Sequence, residues 1–299
     1  MKIAFLGLGR MGWHIAAHLA NEDLGHELVV FDVVDAAVQG WTADHRGSAA
    51  ASVAEAVAGA EIIISSLPSD TEVSAVVAEA IGSVASGAVW IDHSTISADG
   101  ARRYCEALRA KGAEFLDAPV SGGVDGARNG SLTVMTGGDA EAFARMEPTM
   151  EVYAGRATLM GPSGAGQITK MTNQICVVGV CQALAEGLDF AMRAGLDAND
   201  VVTAMLQGSS TSWQMQNRAT QMIEGEFDFG FSTTLMRKDI GLVLDEARAM
   251  NVSLPVTALV GQFLSDVDAL GGADLDWCSL MMRQRQFAPD PAGQTGEES

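Results

Sequence analysis

The chain predicts an α/β domain built on a parallel sheet, then an all-helical domain, the two joined by one long helix. Three observations predict this. Short, nearly continuous apolar strands alternate with helical stretches through the first half, the pattern of a parallel sheet covered on both faces. The first strand (KIAFL) runs directly into Gly7-Leu8-Gly9-Arg10-Met11-Gly12 and then into a helical pattern. After Gly161-Pro162-Ser163-Gly164-Ala165-Gly166, strand signals fade and helical periodicity takes over. The 299 residues suffice for about two domains.

The elements follow in order. Residues 2–6 form the first strand, 11–21 a helix that leaves at Gly25, and 27–32 (ELVVFD) a second strand. Residues 61–67 (EIIISSL) are a buried strand closed by Pro68, and 88–92 (AVWID) a strand ending in His93-Ser94-Thr95. A helix over 97–111 precedes a strand at 114–117, and 132–136 (LTVMT) adds one more before Gly137-Gly138. The long helix covers 167–194, about 42 Å at 1.5 Å per residue, a length that suits a link between domains. Further helices are expected over 198–207, 212–224, 234–250 and 255–270. The division reads as 1–163, dinucleotide-binding, and 164–287, helical. Residues 288–299, rich in Pro, Gly and acid, read as a disordered tail.

Composition narrows the function. A formal charge of −20 argues against nonspecific nucleic-acid binding and against anionic membrane surfaces. Cys105, Cys176, Cys181 and Cys278 show no paired spacing, which fits free thiols in a reducing cytoplasm and no zinc site. Residues 1–6 are already a strand, so no signal peptide is expected. The longest apolar run, 175–185, is interrupted by Gln182 and reads as too short to span a bilayer. The expectation is a soluble, cytoplasmic protein.

The glycine turn carries the first chemistry. Gly7 permits the tight turn, Gly9 lets phosphates approach the main chain, and Gly12 lets helix and strand pack closely. Leu8, Arg10 and Met11 complete a cradle of backbone N–H groups at a helix N-terminus, where a pyrophosphate can sit. The α/β half therefore reads as dinucleotide-binding. Asp32 ends the second strand 20 residues after Gly12, placed to accept bonds from ribose hydroxyls and to repel a 2′-phosphate. Val33 and Val34 follow it, with no arginine to neutralise that phosphate, so NAD is expected over NADP. Leu67-Pro68 and Ser94-Thr95 stand at other strand ends and outline the rest of a cofactor crevice.

Asp117-Ala118-Pro119-Val120-Ser121-Gly122-Gly123 follows the 114–117 strand. Its serine hydroxyl and glycine N–H groups can grip a carboxylate, although read alone Gly122-Gly123 is equally a sharp bend. Lys170 lies in the first turns of the long helix, where the helix dipole and burial would both disfavour its ammonium form and lower its pKa. Such a lysine transfers protons near neutral pH. Asn173 and Gln174, three and four residues on, share its face and offer amides to a substrate hydroxyl. Unplaced, Lys170 is also simply an exposed lysine beginning a helix.

GLGRMG, DAPVSGG, GSLTVMTGG (130–138), GAGQITKMTNQ and MRKDIGL (236–242) occur together in this order. Over nearly all of residues 1–287 the chain resembles the β-hydroxyacid dehydrogenases, specifically the 3-hydroxyisobutyrate dehydrogenase family. The resemblance implies a 6-phosphogluconate dehydrogenase-like fold: a Rossmann-type domain and an all-α domain joined by a long interdomain helix. It implies NAD-linked oxidation of a small 3-hydroxy acid to its semialdehyde. It also implies Lys170 as catalytic acid/base, Asn173 orienting substrate, and Ser121, Gly122 and Gly123 binding its carboxylate. Lys238 would lie by the nicotinamide in an interdomain cleft, and the protein would be a homodimer or homotetramer. Many members carry asparagine where this chain has Gln174; both offer an amide.

The segment 209–231 resembles members that oxidise L-serine or its methyl ester, and reductases of tartronate or succinic semialdehyde share the fold; Asp32 weighs against the NADPH-linked ones. A non-catalytic dinucleotide-binding module and an imine reductase would both normally lack the lysine retained here. His14 and His18, spaced i, i+4, read as partly exposed helix residues and not as metal ligands. The fifteen methionines read as core and interface filler. Trp213 and Phe231 are expected either to line the substrate pocket or to fill the core.

Overall fold

The computed structural model describes residues 1–21 and 25–286, so the expected tail over 288–299 lies outside the described residues. The chain divides into two compact units, Met1–Thr172 and Asn173–Ser299. Among the described residues the first unit holds nine strands: β1 (Lys2–Leu6), β2 (Glu27–Phe31), β3 (Ser48–Ala49), β4 (Ile62–Ser65), β5 (Val89–Asp92), β6 (Glu114–Asp117), β7 (Val120–Ser121), β8 (Leu132–Gly137) and β9 (Ala154–Gly161). Its helices are α1 (Gly12–Asn21), α2 (Asp35–Asp44), α3 (Val53–Val57), α4 (Asp70–Ala80), α5 (Ala98–Arg109), α6 (Gly123–Arg128) and α7 (Ala140–Met150). Helix α8 (Ala165–Arg193) leads into the helical unit. There α9 (Ala198–Met205), α10 (Trp213–Glu224), α11 (Thr233–Ala249), α12 (Pro255–Val267) and α13 (Leu280–Gln286) follow.

The strand order is β3-β2-β1-β4-β5-β6-β8-β7, with β9 on β8. Strands β1 to β7 run one way, but β8 is antiparallel to both β6 and β7 and parallel to β9, so the sheet is mixed where the strand pattern implied a parallel one. The cause is the connection. Helix α6 has six residues and rises about 9 Å, too little to return the chain along a six-residue strand of about 20 Å.

Continuous apolar strands follow from a sheet buried on both faces. Ile3, Phe5, Ile62, Ile64, Val89 and Ile91 pack into one core, with Ile15 and Leu19 of α1. The alternate residues Ala4, Leu6, Ile63, Trp90 and Phe115 pack into the other, with Tyr104 and Leu108 of α5. Ser52, Ser69, Ser97 and Asp139 accept backbone N–H bonds at the starts of α3, α4, α5 and α7, stopping each loop where its helix begins.

In the second unit Val178, Cys181, Leu184, Ala185 and Leu188 of α8 enter a core with Met236 and Ile240 of α11 and Leu264 of α12. By length and composition alone α8 is apolar enough to cross a membrane, with mean hydropathy 1.6 over its most apolar window. This corrects the expectation that no segment reaches that threshold: the Gln182 interruption falls inside a 29-residue helix. The apolar side chains on one face of α8 are those that fill the helical core.

Candidate active site

Strand β1 delivers the chain into the glycine turn, where the three glycines differ in what they do. Gly7 sits at φ +98°, and a Cβ there would lie 2.4 Å from the Ser66 carbonyl oxygen. A Cβ on Gly12 would lie 1.9 Å from the carbonyl oxygen of Gly7. Packing of the protein itself therefore accounts for both. Gly9 has no atom within 4 Å of that position. It opens onto free space, the approach a pyrophosphate requires, so the turn fits a dinucleotide. Leu8 is buried and Met11 packs partly against the same core, so both offer the turn their main chain; Arg10 is exposed.

Asp32 is tied to this turn. One carboxylate oxygen accepts from Leu8 N at 2.6 Å and the other from Val34 N at 2.8 Å. The half-buried acid is thus held at the carboxyl end of β2 beside the glycines. Val33 and Val34 beyond it are exposed.

The ends of β4 and β5 are linked as well. Leu67 N donates to Ser94 Oγ at 2.9 Å, and Ser94 Oγ donates to Asp92 Oδ1 at 2.6 Å. Ser65 Oγ donates to the same oxygen at 2.7 Å while accepting from Trp90 Nε1 at 2.8 Å. The Ser94 hydroxyl is therefore engaged within the protein, and Ser94 itself is buried. Pro68 is exposed and Thr95 half-buried at the mouth of the same loops.

Beside β5, Asp117 closes β6 and receives the start of α8. Its oxygens accept from Gly164 N at 2.7 Å and Gln167 N at 3.0 Å. Fully buried Gln167 accepts from Ile96 N at 3.1 Å and donates to the Ser94 carbonyl at 2.9 Å. Lys170, one turn further along α8, is 9 % exposed, which removes the reading of an exposed lysine at a helix start. Ser121 is half-buried in β7, and Gly122 and Gly123 adopt φ +126° and +63° as α6 begins. Both glycines are exposed, and a Cβ on Gly123 would meet nothing within 4 Å.

In the second unit, Asn173 Nδ2 donates to Gln174 Oε1 at 2.9 Å, and Gln174 Nε2 donates to Asp239 Oδ2 at 2.6 Å. Lys238 Nζ lies 2.9 Å from Asp239 Oδ1, within ion-pair range but off the hydrogen-bonding direction. Buried Gln174 thus has both ends of its amide engaged, and its effect is to orient Asn173. Trp213 is 53 % exposed, with the Arg218 guanidinium stacked 4.8 Å from its ring, so it is not a core residue. Phe231 packs partly against the helical core.

Sequence reasoning missed Asp92, the anchoring use of Asp117, Gln167, Asp239 and the His93–Tyr153 pair. One signal was available: Asp92 and Asp117 each end a strand directly after buried apolar residues, and they pair across β5 and β6. His93 Nδ1 donates to the Ala118 carbonyl at 2.6 Å, so its Nε2 accepts from Tyr153 OH at 3.0 Å. Burial lowers the His93 pKa to about 4, consistent with that neutral tautomer. His18 Nε2 donates to the carbonyls of Ala127 and Arg128, fastening α1 to α6.

Burial raises Asp92 to about 6 against the pull of its serine bonds, and one of its oxygens has no partner. Because the native pKa lies above the unfolded value, this group favours the fold at low pH. That stability is lost as pH rises through about 6. Asp92→Asn is expected to reduce the loss of unfolding free energy between pH 4.5 and 7, by up to about 1.4 kcal/mol per pH unit. Urea melts at the two pH values measure this; an unchanged difference would refute it.

The fold and its glycine turn define the class: a protein that takes a dinucleotide, NAD(P). Two family descriptions match the chain, the NAD binding domain of 6-phosphogluconate dehydrogenase over residues 2–161 and the NAD-binding part of NADP-dependent 3-hydroxyisobutyrate dehydrogenase over 164–283. The protein belongs to the 3-hydroxyisobutyrate dehydrogenase/β-hydroxyacid dehydrogenase family. It is 45% identical to an uncharacterized oxidoreductase of Shewanella frigidimarina, covering 94% of this chain and 97% of that one. Identity to the 3-hydroxyisobutyrate dehydrogenase of Pseudomonas aeruginosa is 38%, over 88% and 91% of the two chains. Relatives at 36% and 35% identity are an NAD-dependent L-serine dehydrogenase of the same organism and a 2-hydroxy-3-oxopropionate reductase of Escherichia coli, with at least 86% of each chain covered. The Mycobacterium tuberculosis 3-hydroxyisobutyrate dehydrogenase solved with L-serine superimposes with TM-score 0.88 at 33% identity, covering 95% of this chain and 99% of that one.

Proposed function

We propose that this enzyme oxidises a small 3-hydroxy acid to its semialdehyde with NAD+, and that 3-hydroxyisobutyrate or a near analogue is the substrate. The observation that carries the reading is the burial of Lys170 on a helix whose first turn is bonded to the ends of β5 and β6. The cofactor, when bound, supplies the hydride acceptor. Ser121 and the N–H groups of the Gly122-Gly123 turn take the substrate carboxylate. Asn173, oriented by Gln174, holds the hydroxyl, and Lys170 Nζ accepts its proton as the carbon–hydrogen bond breaks.

L-serine is the second reading, favoured by the L-serine dehydrogenase relative and by the exposed Trp213 in the segment that resembles serine-oxidising members. Initial rates with 3-hydroxyisobutyrate, L-serine, glycerate and 4-hydroxybutyrate separate the possibilities. The 3-hydroxy acids are expected to lead in kcat/KM, and no turnover of any of them would refute the proposal.

Asp32, with two neutral valines after it, supports NAD over NADP. Like charges about 4 Å apart repel by about 1 kcal/mol in water and about 4 kcal/mol near a protein surface, so a preference of roughly tenfold or more is expected. Asp32→Ser should narrow that ratio. A wild-type preference for NADP+ would overturn this reading of Asp32.

A further inference from the structure

We propose that Gln167 is a positioning residue for the hydride-transfer reaction: its buried amide fixes the depth and rotation of α8 against the Ser94–Ile96 loop and so sets where Lys170 stands. The inference rests on the reading of Lys170 as the proton acceptor.

A fully buried glutamine in a helix is costly to desolvate unless its amide is satisfied, and an apolar side chain would fill the same volume without that cost. Here the backbone N–H and both ends of the amide find partners on two other pieces of the first unit. The backbone N–H of Gln167 goes to Asp117 at the end of β6, its Oε1 to Ile96 N, and its Nε2 to the Ser94 carbonyl. Ser94 is held in turn by Asp92 and by Leu67 N, so the loop that receives the glutamine is fixed to β4 and β5.

Backbone packing adds a restraint along the helix axis. A Cβ on Gly166 would lie 2.4 Å from the Met135 carbonyl oxygen and 2.5 Å from that of Asp117. The first turn of α8 is thus seated directly on the sheet and cannot slide without breaking these bonds. Lys170 follows Gln167 by three residues, about 4.5 Å along the axis and on the same face. An error in the seat of Gln167 is therefore passed to Lys170 through one rigid turn.

Two full-length variants test this. Gln167→Met conserves volume and removes the amide; Gln167→Glu keeps one acceptor and places a second oxygen against the Ser94 carbonyl. The chain has four lysines, Lys2, Lys111, Lys170 and Lys238, so acylation of Lys170 by acetic anhydride can be followed by peptide mass spectrometry without cofactor or turnover. For Gln167→Met, kcat is expected to fall roughly 10- to 100-fold, the range a displacement of about 1 Å produces, with NAD+ affinity nearly unchanged. The rate of Lys170 acylation should shift relative to Lys2 and Lys111. For Gln167→Glu the deficit relative to wild type should narrow from about pH 8 to about pH 6, as a protonated carboxyl regains the donor for Ser94.

Wild-type kcat and wild-type Lys170 labelling in Gln167→Met would overturn the proposal. So would equal losses of NAD+ binding and kcat, the mark of a merely structural role. If Gln167→Met does not fold, the pH series of Gln167→Glu decides, and a deficit constant with pH counts against the proposal. Turnover retained by Lys170→Ala would instead sink the reading of the site, which the labelling result does not depend on.

Discussion

Lys170→Ala is expected to lower kcat by roughly 10²- to 10⁴-fold, the range that general acid–base catalysis contributes. NAD+ binding, followed by quenching of protein fluorescence, should persist, because the proposed cofactor cradle lies at the ends of β1, β2, β4 and β5, away from Lys170 on α8. A fall in kcat at unchanged cofactor affinity is the signature of a group acting in the transition state. Lys170→Arg should not rescue the activity, since a guanidinium keeps its proton and cannot accept another. A small exogenous amine should restore part of the rate in the alanine variant. Retained turnover in Lys170→Ala, with a melting curve like that of the wild type, would refute the assignment of Lys170 as the proton acceptor.

Much of the candidate site was legible because its residues coincide with backbone punctuation. The glycine turn, Asp32 and Ser121-Gly122-Gly123 all lie where a strand stops, and strands that alternate between two cores are visible as runs such as IIIS and VWID. What stayed hidden depends on pairings between distant segments. Gln167 looks like an ordinary helical glutamine until Ser94 and Ile96, more than seventy residues earlier, are found within bonding distance. Asp117 was visible in its motif, but its partner at Gly164 lies 47 residues away. The antiparallel direction of β8 stayed hidden for a related reason: local sequence identifies a strand but does not fix its direction, which here follows from the shortness of α6.

Gly9 and Gly12 offer a test of why the opening motif contains glycine at all. At Gly12 an added Cβ would stand 1.9 Å from the Gly7 carbonyl oxygen and 3.1 Å from the Phe5 ring, so helix α1 must move away from the sheet. Overpacking of this kind costs about 1 to 3 kcal/mol or more, against a gain of up to about 1 kcal/mol from alanine in a helix. Gly12→Ala is therefore expected to lower Tm by several degrees, at about 2 to 4 °C per kcal/mol for a chain of this size. At Gly9 the same methyl group meets nothing within 4 Å, and the residue has no positive φ to lose. Gly9→Ala should leave Tm unchanged, or raise it slightly by restricting the unfolded chain. Yet it should weaken NAD+ binding by roughly tenfold or more, about 1.4 kcal/mol, because the methyl group occupies the approach of the pyrophosphate. Thermal melts and titrations on the two variants separate a glycine the protein needs from a glycine the ligand needs. If Gly9→Ala binds NAD+ as the wild type does, the phosphates do not approach the main chain at Gly9, and the crevice must be redrawn around Asp32.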